Sequence, residues 1–167
     1  MGRCRAVKKG TVILVSVILS FCVLLFCAAQ FYDCSRLKSF DAAEATETNT
    51  AKWNIDIVNC GNHYVTVSGW AFILKEAPAK FNSNIVLKNK RTENYIAIPT
   101  VLVARTDLNK AFSDGTDYTQ SGFFSKVNKN QIDLSHNSYE IYIKYFNNNH
   151  RILIDTNRSL TNKPGDQ

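Results

Sequence analysis

A continuous apolar run occupies residues 12–29 near the start of the chain and reads VILVSVILSFCVLLFCAA. Ser16 and Ser20 are its only polar residues, and no charge, Pro or Gly interrupts it. Extended to residues 11–31, a helix of this length would span roughly 30 Å, the thickness of a hydrocarbon core. A buried helix of a soluble protein is not expected, because so long a run has no polar face to present to water. The pattern therefore predicts a transmembrane helix over residues 11–31.

After residue 53 the pattern changes to short runs of aromatic and β-branched residues between polar turns. In residues 139–146 the uncharged set Tyr139, Ile141, Ile143 and Tyr145 alternates with a set that carries the charges, so the first set is expected to face the core. An Asn-rich turn then joins this run to the last one as a hairpin. Strands are predicted over residues 54–58, 64–74, 84–88, 95–98, 101–104, 122–127, 139–146 and 151–155.

One helix signal lies among these runs, at residues 107–112 (DLNKAF). Asp107 can cap its first turn, and Leu108 and Phe112 share one face. Seven or eight short, regularly spaced strands without long helices predict a mostly β fold, an antiparallel β-sandwich of about seven strands, with a small barrel as the alternative.

These patterns divide the chain into five regions. Residues 1–10 form a basic tail and residues 11–31 the membrane helix. Residues 32–52 include a stretch of Ala, Glu, Thr, Asp and Asn without apolar periodicity, which predicts a flexible stalk. Residues 53–160 form the sandwich domain, and residues 161–167 a disordered tail.

The net charge of +6 comes mainly from basic residues at the N-terminal end of the chain. Four basic residues precede the apolar run, and the rest of the chain holds 16 basic and 14 acidic residues. The excess is therefore an orientation signal that favours a cytoplasmic N-terminus and an exported C-terminal domain, and nucleic acid is not expected as a partner. The length of the run favours a retained signal anchor in the cell membrane, while cleavage after Ala29 would give a secreted protein.

Candidate chemistry is sparse. Cys34 and Cys60 follow the membrane helix and can form a disulfide in an oxidising compartment, or remain as two thiols. No Cys or His spacing indicates zinc, so neither a metal nor another cofactor is expected. The three His residues lie in polar turns, where solvated side chains are the rule.

Three carboxylates, Asp107, Asp114 and Asp117, lie within eleven residues and raise the hypothesis of a small exported hydrolase. That hypothesis requires a cleft with converging carboxylates of raised pKa. Turn chemistry explains the Asp-Gly pair equally well.

Aromatic residues offer a second kind of site, because a ring face can stack on the C–H face of a sugar. Trp70 lies mid-strand between Gly69 and Ala71 and is expected in the core. Tyr118 and Tyr142 are the better candidates for an exposed binding surface.

Several short motifs, in this order, resemble small Ig-like sandwich modules of bacterial envelope proteins, some attached to polysaccharide-assembly or glycosyltransferase machinery. They are Ser68-Gly69-Trp70-Ala71-Phe72, Val86-Leu87-Lys88, Tyr95, Arg105-Thr106-Asp107-Leu108, Ala111-Phe112, Ser121-Gly122-Phe123 and Ser138-Tyr139-Glu140-Ile141. The resemblance covers about residues 53–156 and carries no catalytic residues. It implies structural roles for Trp70 and Gly122, and for Arg105 and Asp107 as an anchor of the loop at Gly122.

The leading hypothesis is therefore a membrane-anchored, extracytoplasmic β-sandwich that is not an enzyme and binds an envelope glycan or a membrane protein partner. The exported hydrolase and a secreted binding protein are the alternatives.

Overall fold

The computed structural model describes residues 9–35, 37–40, 50–79, 82–148 and 150–161, and divides into two units, Met1–Arg36 and Leu37–Gln167. The first unit contains helix α1 (Lys9–Ser35). Its segment Val12–Gln30 has a mean hydropathy of 3.0 and is long and apolar enough to cross a membrane. The predicted helix is confirmed, and its composition suits a membrane anchor or a signal sequence.

The described residues of the second unit are mostly β and include one short helix, α2 (Thr106–Phe112), and two single 3₁₀ turns. All eight predicted strands are present. The strands are β1 (Lys38–Phe40), β2 (Ala51–Cys60), β3 (Tyr64–Ile73), β4 (Ser83–Asn89), β5 (Tyr95–Ala97), β6 (Thr100–Val103), β7 (Gly122–Asn128), β8 (Tyr139–Asn147) and β9 (His150–Leu160).

These strands form two antiparallel sheets. The first has the order β1-β5-β4-β8-β9 and the second β2-β3-β7-β6. The chain changes sheets at Pro99, between β5 and β6, where a residue without an N–H interrupts no ladder. The fold class predicted from the alternating pattern, an antiparallel two-sheet sandwich, is confirmed.

One core fills the space between the sheets and explains why the strands alternate. Val65 and Val67 of β3 and Ile141 and Ile143 of β8 are fully buried in the same cluster. Their neighbours in sequence point outward, so each strand contributes every second side chain. Tyr139 and Tyr145 join Ile141 and Ile143 in the core, as predicted for this face of β8.

A second, smaller cluster lies on the outer face of the four-stranded sheet. Phe72 of β3, Leu108 of α2 and Tyr118 are buried there, with Trp70 and Phe112 packed against them. Helix α2 therefore covers one end of this outer face.

Two expectations need correction. The expected count of about seven strands is too low, because eight strands build the two layers and β1 adds a three-residue edge. The expected stalk at residues 32–52 also contains folded backbone, since β1 pairs with β5 and β2 begins at Ala51. The remaining stalk residues 41–49, the tail residues 162–167 and residues 1–8 lie outside the described residues.

Candidate functional site

Tyr118, expected as an exposed binding residue, is fully buried. Its ring stacks on Phe72 with centroids 4.0 Å apart, and its hydroxyl donates to Asp114 Oδ2 at 2.6 Å. The same hydroxyl accepts the backbone N–H of Lys75 at 2.9 Å. The prediction is wrong because the chain after α2 folds back over β3, a tertiary contact absent from the local pattern.

Trp70 has packing partners but lies outside the core between the sheets. It stacks on Phe72 at 5.3 Å and meets the edge of Phe112 at 5.8 Å. Trp70 thus points to the outer face, where α2 half-buries it, which keeps its expected role structural but changes its place.

Arg105 is the centre of an ionic cluster beside Gly122. Its guanidinium donates to both carboxylate oxygens of Asp107, at 2.9 and 2.8 Å, and to Asp56 Oδ2 at 2.5 Å. A bulge in β2 between Ile55 and Ile57 places Asp56 there. The pairing raises the pKa of Arg105 above its already high value. A Cβ on Gly122 would lie 2.6 Å from Arg105 Cγ, so the arginine stem lies directly on this glycine.

These contacts bring Arg105, Asp107 and Gly122 together, and the structural roles expected for them stay predictions. Asp56 is a partner that the sequence did not reveal. In the sequence, residues 54–58 alternate regularly, so no local pattern marks the bulge that leaves Ile55 buried and Ile57 exposed.

The three loop carboxylates each bind a separate set of donors. The Arg105 hydrogen bonds lower the pKa of Asp107, and the Tyr118 hydroxyl lowers that of Asp114. The Thr119 hydroxyl and backbone N–H, at 2.6 and 2.9 Å, do the same for Asp117. A general acid for glycoside cleavage needs the opposite shift. The raised pKa required by the hydrolase hypothesis is therefore not met at any of these three residues.

Tyr142 lies half-buried on the outer face of the five-stranded sheet, where the sequence predicted it. Its ring meets the ring of Tyr95 edge to face, with centroids 5.8 Å apart and planes at 70°. The register explains the meeting, because Tyr142 pairs with Val86 and Tyr95 with Lys88, two positions along β4. Val86 points to the same face yet is fully buried, so the side chains around it cover it.

Carboxylates flank the Tyr142 hydroxyl. Glu140 Oε2 lies 3.4 Å and Asp155 Oδ2 3.3 Å from the hydroxyl oxygen. Burial, followed by the charges of Asp155 and Glu140, raises the pKa of Tyr142, so the hydroxyl keeps its proton. Lys90 lies 3.5 Å from the other Glu140 oxygen, and Lys88 pairs with Glu93 beside the Tyr95 ring.

The outer face of the four-stranded sheet carries a row of exposed apolar side chains beside the part covered by α2. Register pairs align Ile57, Ser68, Phe124 and Val101 across all four strands. Ile57, Phe124 and Val101 are 59%, 37% and 58% exposed. Next to this row the Lys126 ammonium lies 4.0 Å from the centroid of the Tyr64 ring.

The remaining candidates occupy peripheral positions. His136 contacts Asp133 and Ser135 within one exposed turn, and His150 lies 3.6 Å from Glu76. Cys60 is partly exposed. The side chain of Cys34 lies outside the described side chains, so the disulfide stays a prediction. In the parts of the chain that the structure describes, no group of three His, Cys, Asp or Glu residues could hold a metal.

Comparison with protein-family models, with curated proteins and with solved structures finds no match for this chain.

Proposed function

We propose that this chain is a membrane-anchored binding module whose sandwich docks a membrane protein on the extracytoplasmic side. The observation that carries the proposal is the exposed apolar row Ile57, Phe124 and Val101 on the four-stranded sheet. Large exposed apolar side chains aligned on the part of a sheet face beside a covering helix are typical of interaction surfaces.

The location of the partner is inferred from α1 and its flanks. The helix has the length and hydropathy of a membrane anchor, and the basic residues that precede it favour a cytoplasmic N-terminus. An anchored domain meets its partners at the membrane surface. The resemblance to Ig-like modules of envelope proteins supports the same compartment.

The chemistry of the row limits the partner. The small side chain of Ser68 leaves a depression between Ile57 and Phe124. Val101 lies on β6, which is an edge strand of its sheet. Lys126 adds one positive charge beside the row. The expected partner surface is therefore apolar at its centre with an acidic group at its rim.

Site-specific photocrosslinking in membranes of the source cell tests the docking. A photoreactive amino acid at Val101 is expected to give one major adduct with a membrane protein, and the same label at Phe146 is not. Phe146 is a matched control because it is 45% exposed and lies on the other sheet. Ile57→Glu should abolish the adduct, since it introduces an unpaired charge into an apolar contact.

Identical adducts from Val101 and Phe146, or an adduct that survives Ile57→Glu, would refute docking through this row. Protease protection in spheroplasts tests orientation separately, because a protected sandwich in intact spheroplasts would place it in the cytosol. The intact mass of the purified protein distinguishes an anchored chain from one cleaved after Ala29.

A further inference from the structure

The outer face of the five-stranded sheet combines two aromatic rings with two carboxylates that share one hydroxyl donor. Tyr142 has a single hydroxyl proton, and two carboxylates, Glu140 and Asp155, compete for it at 3.4 and 3.3 Å. Only one of them can receive it at a time. The other carboxylate oxygen can then accept a hydrogen bond from another donor, such as a hydroxyl group of a ligand.

The rings of Tyr95 and Tyr142 form a corner on this face and not a flat platform. Tyr95 and Tyr142 stand at 70° to one another, both half-buried, above the fully buried Val86. A sugar ring has an apolar C–H face and a rim of hydroxyl groups. One aromatic ring can stack on that apolar face while the carboxylates accept hydrogen bonds from the rim.

The charges around the corner indicate a neutral ligand. Lys88 pairs with Glu93, and Lys90 lies within ion-pair distance of Glu140. Positive charges are thus matched locally by negative ones, unlike the surplus of basic groups that a polyanion would require. Hydroxyl-rich, uncharged sugars satisfy acceptor oxygens without requiring a net field.

We propose that the Tyr95–Tyr142 corner, with Glu140 and Asp155 at its edge, is a binding site for a neutral glycan chain. The site lies on the opposite sheet from the apolar row, so it goes beyond the proposed protein docking and does not depend on it. Its ligand would stack on the accessible part of one tyrosine ring and donate hydroxyl hydrogens to the carboxylate that does not receive the Tyr142 proton.

Calorimetric titration of the full chain in detergent tests this site with three probes of similar length. They are a β-1,4-linked N-acetylglucosamine oligosaccharide, a neutral glucan oligosaccharide and a sulfated glucan oligosaccharide. At least one neutral probe is expected to bind, and Tyr142→Ala should weaken it by about tenfold or more, which corresponds to about 1.4 kcal/mol. Tyr142→Phe keeps the ring and should weaken binding less than Tyr142→Ala does.

Phe146→Ala is the matched control, because Phe146 lies on the same strand and the same face and should leave binding unchanged. Asp155→Asn provides a second variant that keeps both rings and removes the carboxylate, with circular dichroism to confirm folding. Binding of the sulfated probe alone, binding of no probe, or equal affinity in wild type, Tyr142→Ala and Asp155→Asn would each overturn the proposal. Ile57→Glu should not alter glycan affinity, so failure of the docking and failure of this site are distinguishable.

Discussion

Replacement of Gly69 by Ala is the sharpest test of how the four-stranded sheet is packed. A Cβ at this position would lie 2.2 Å from the carbonyl oxygen of Asn54 in β2 and 2.9 Å from Phe123 Cζ. Non-bonded atoms pack at about 3.5 Å or more, so β2 and the Phe123 ring would have to move by about 1 Å. The carbonyl belongs to the backbone and cannot rotate away as a side chain could.

The expected cost follows from overpacking. Inserted methyl groups in well-packed cores cost roughly 1–3 kcal/mol, and the backbone contact places Gly69→Ala near the upper end, at about 3 kcal/mol. A change of 1 kcal/mol shifts the melting temperature by about 4 °C in a domain of this size, so a drop of about 12 °C is expected.

Gly61→Ala is the matched control. Its Cβ would meet only the carbonyl oxygen of Tyr64, at 3.4 Å, which is ordinary contact. The free energy of unfolding should therefore stay within about 0.5 kcal/mol of wild type or rise slightly, because Ala restricts the unfolded chain.

Urea unfolding of the full chain in mild detergent, followed by near-ultraviolet circular dichroism, measures both variants. Trp53 and Trp70 lie on β2 and β3, the two strands that Gly69→Ala would separate. Equal stability of Gly69→Ala and Gly61→Ala would refute the close approach of β2 to β3 at this residue.

Three further predictions use the same unfolding measurement. Arg105→Ala should lower the free energy of unfolding by about 1–2 kcal/mol through lost hydrogen bonds and lost packing on Gly122. Arg105→Lys should recover only part of this loss, because lysine cannot bind a carboxylate with two parallel hydrogen bonds. Full recovery of stability in Arg105→Lys would contradict this reasoning. Tyr145→Phe should be neutral or stabilise by up to about 1 kcal/mol, because the buried Tyr145 hydroxyl makes no hydrogen bond of good geometry with the described residues. A loss of more than about 1 kcal/mol would contradict this. Folding lowers the pKa of Asp114 and Asp117, so their contribution to the free energy of unfolding is complete above about pH 5. This contribution is lost as the pH falls below their usual pKa of about 3.9. A free energy of unfolding that stays constant from about pH 5 to about pH 2 would contradict this.

The strands were predictable because the physical cause of their formation is local. In β8, Ile141 and Ile143 alternate with Glu140 and Lys144, and this alternation indicates which face of the strand packs against the core. Strand β1 was missed because three residues carry too little alternation to stand out. It exists through its backbone pairing with β5, which sequence periodicity does not record.

The fate of Tyr118 shows where local reasoning fails. Tyr118 was expected on an exposed binding surface, yet its ring is buried by Phe72 and α2. A signal for this cover was present in β3, where Trp70, Ala71, Phe72 and Ile73 are all apolar, so both faces of the strand end need burial. One face meets the core, and the other requires a cover such as α2.

The distinction between residues that maintain the fold and residues available for a ligand follows from the same geometry. The sequence offered Asp107, Asp114 and Asp117 as candidate catalytic carboxylates. Each of them already accepts a hydrogen bond from a donor of its own chain. The Tyr142 hydroxyl, in contrast, lies between two acceptors with one proton to give. The side chains that can still bind a ligand or a partner thus lie at outward-facing strand positions. Function should be sought on the outer faces of the two sheets.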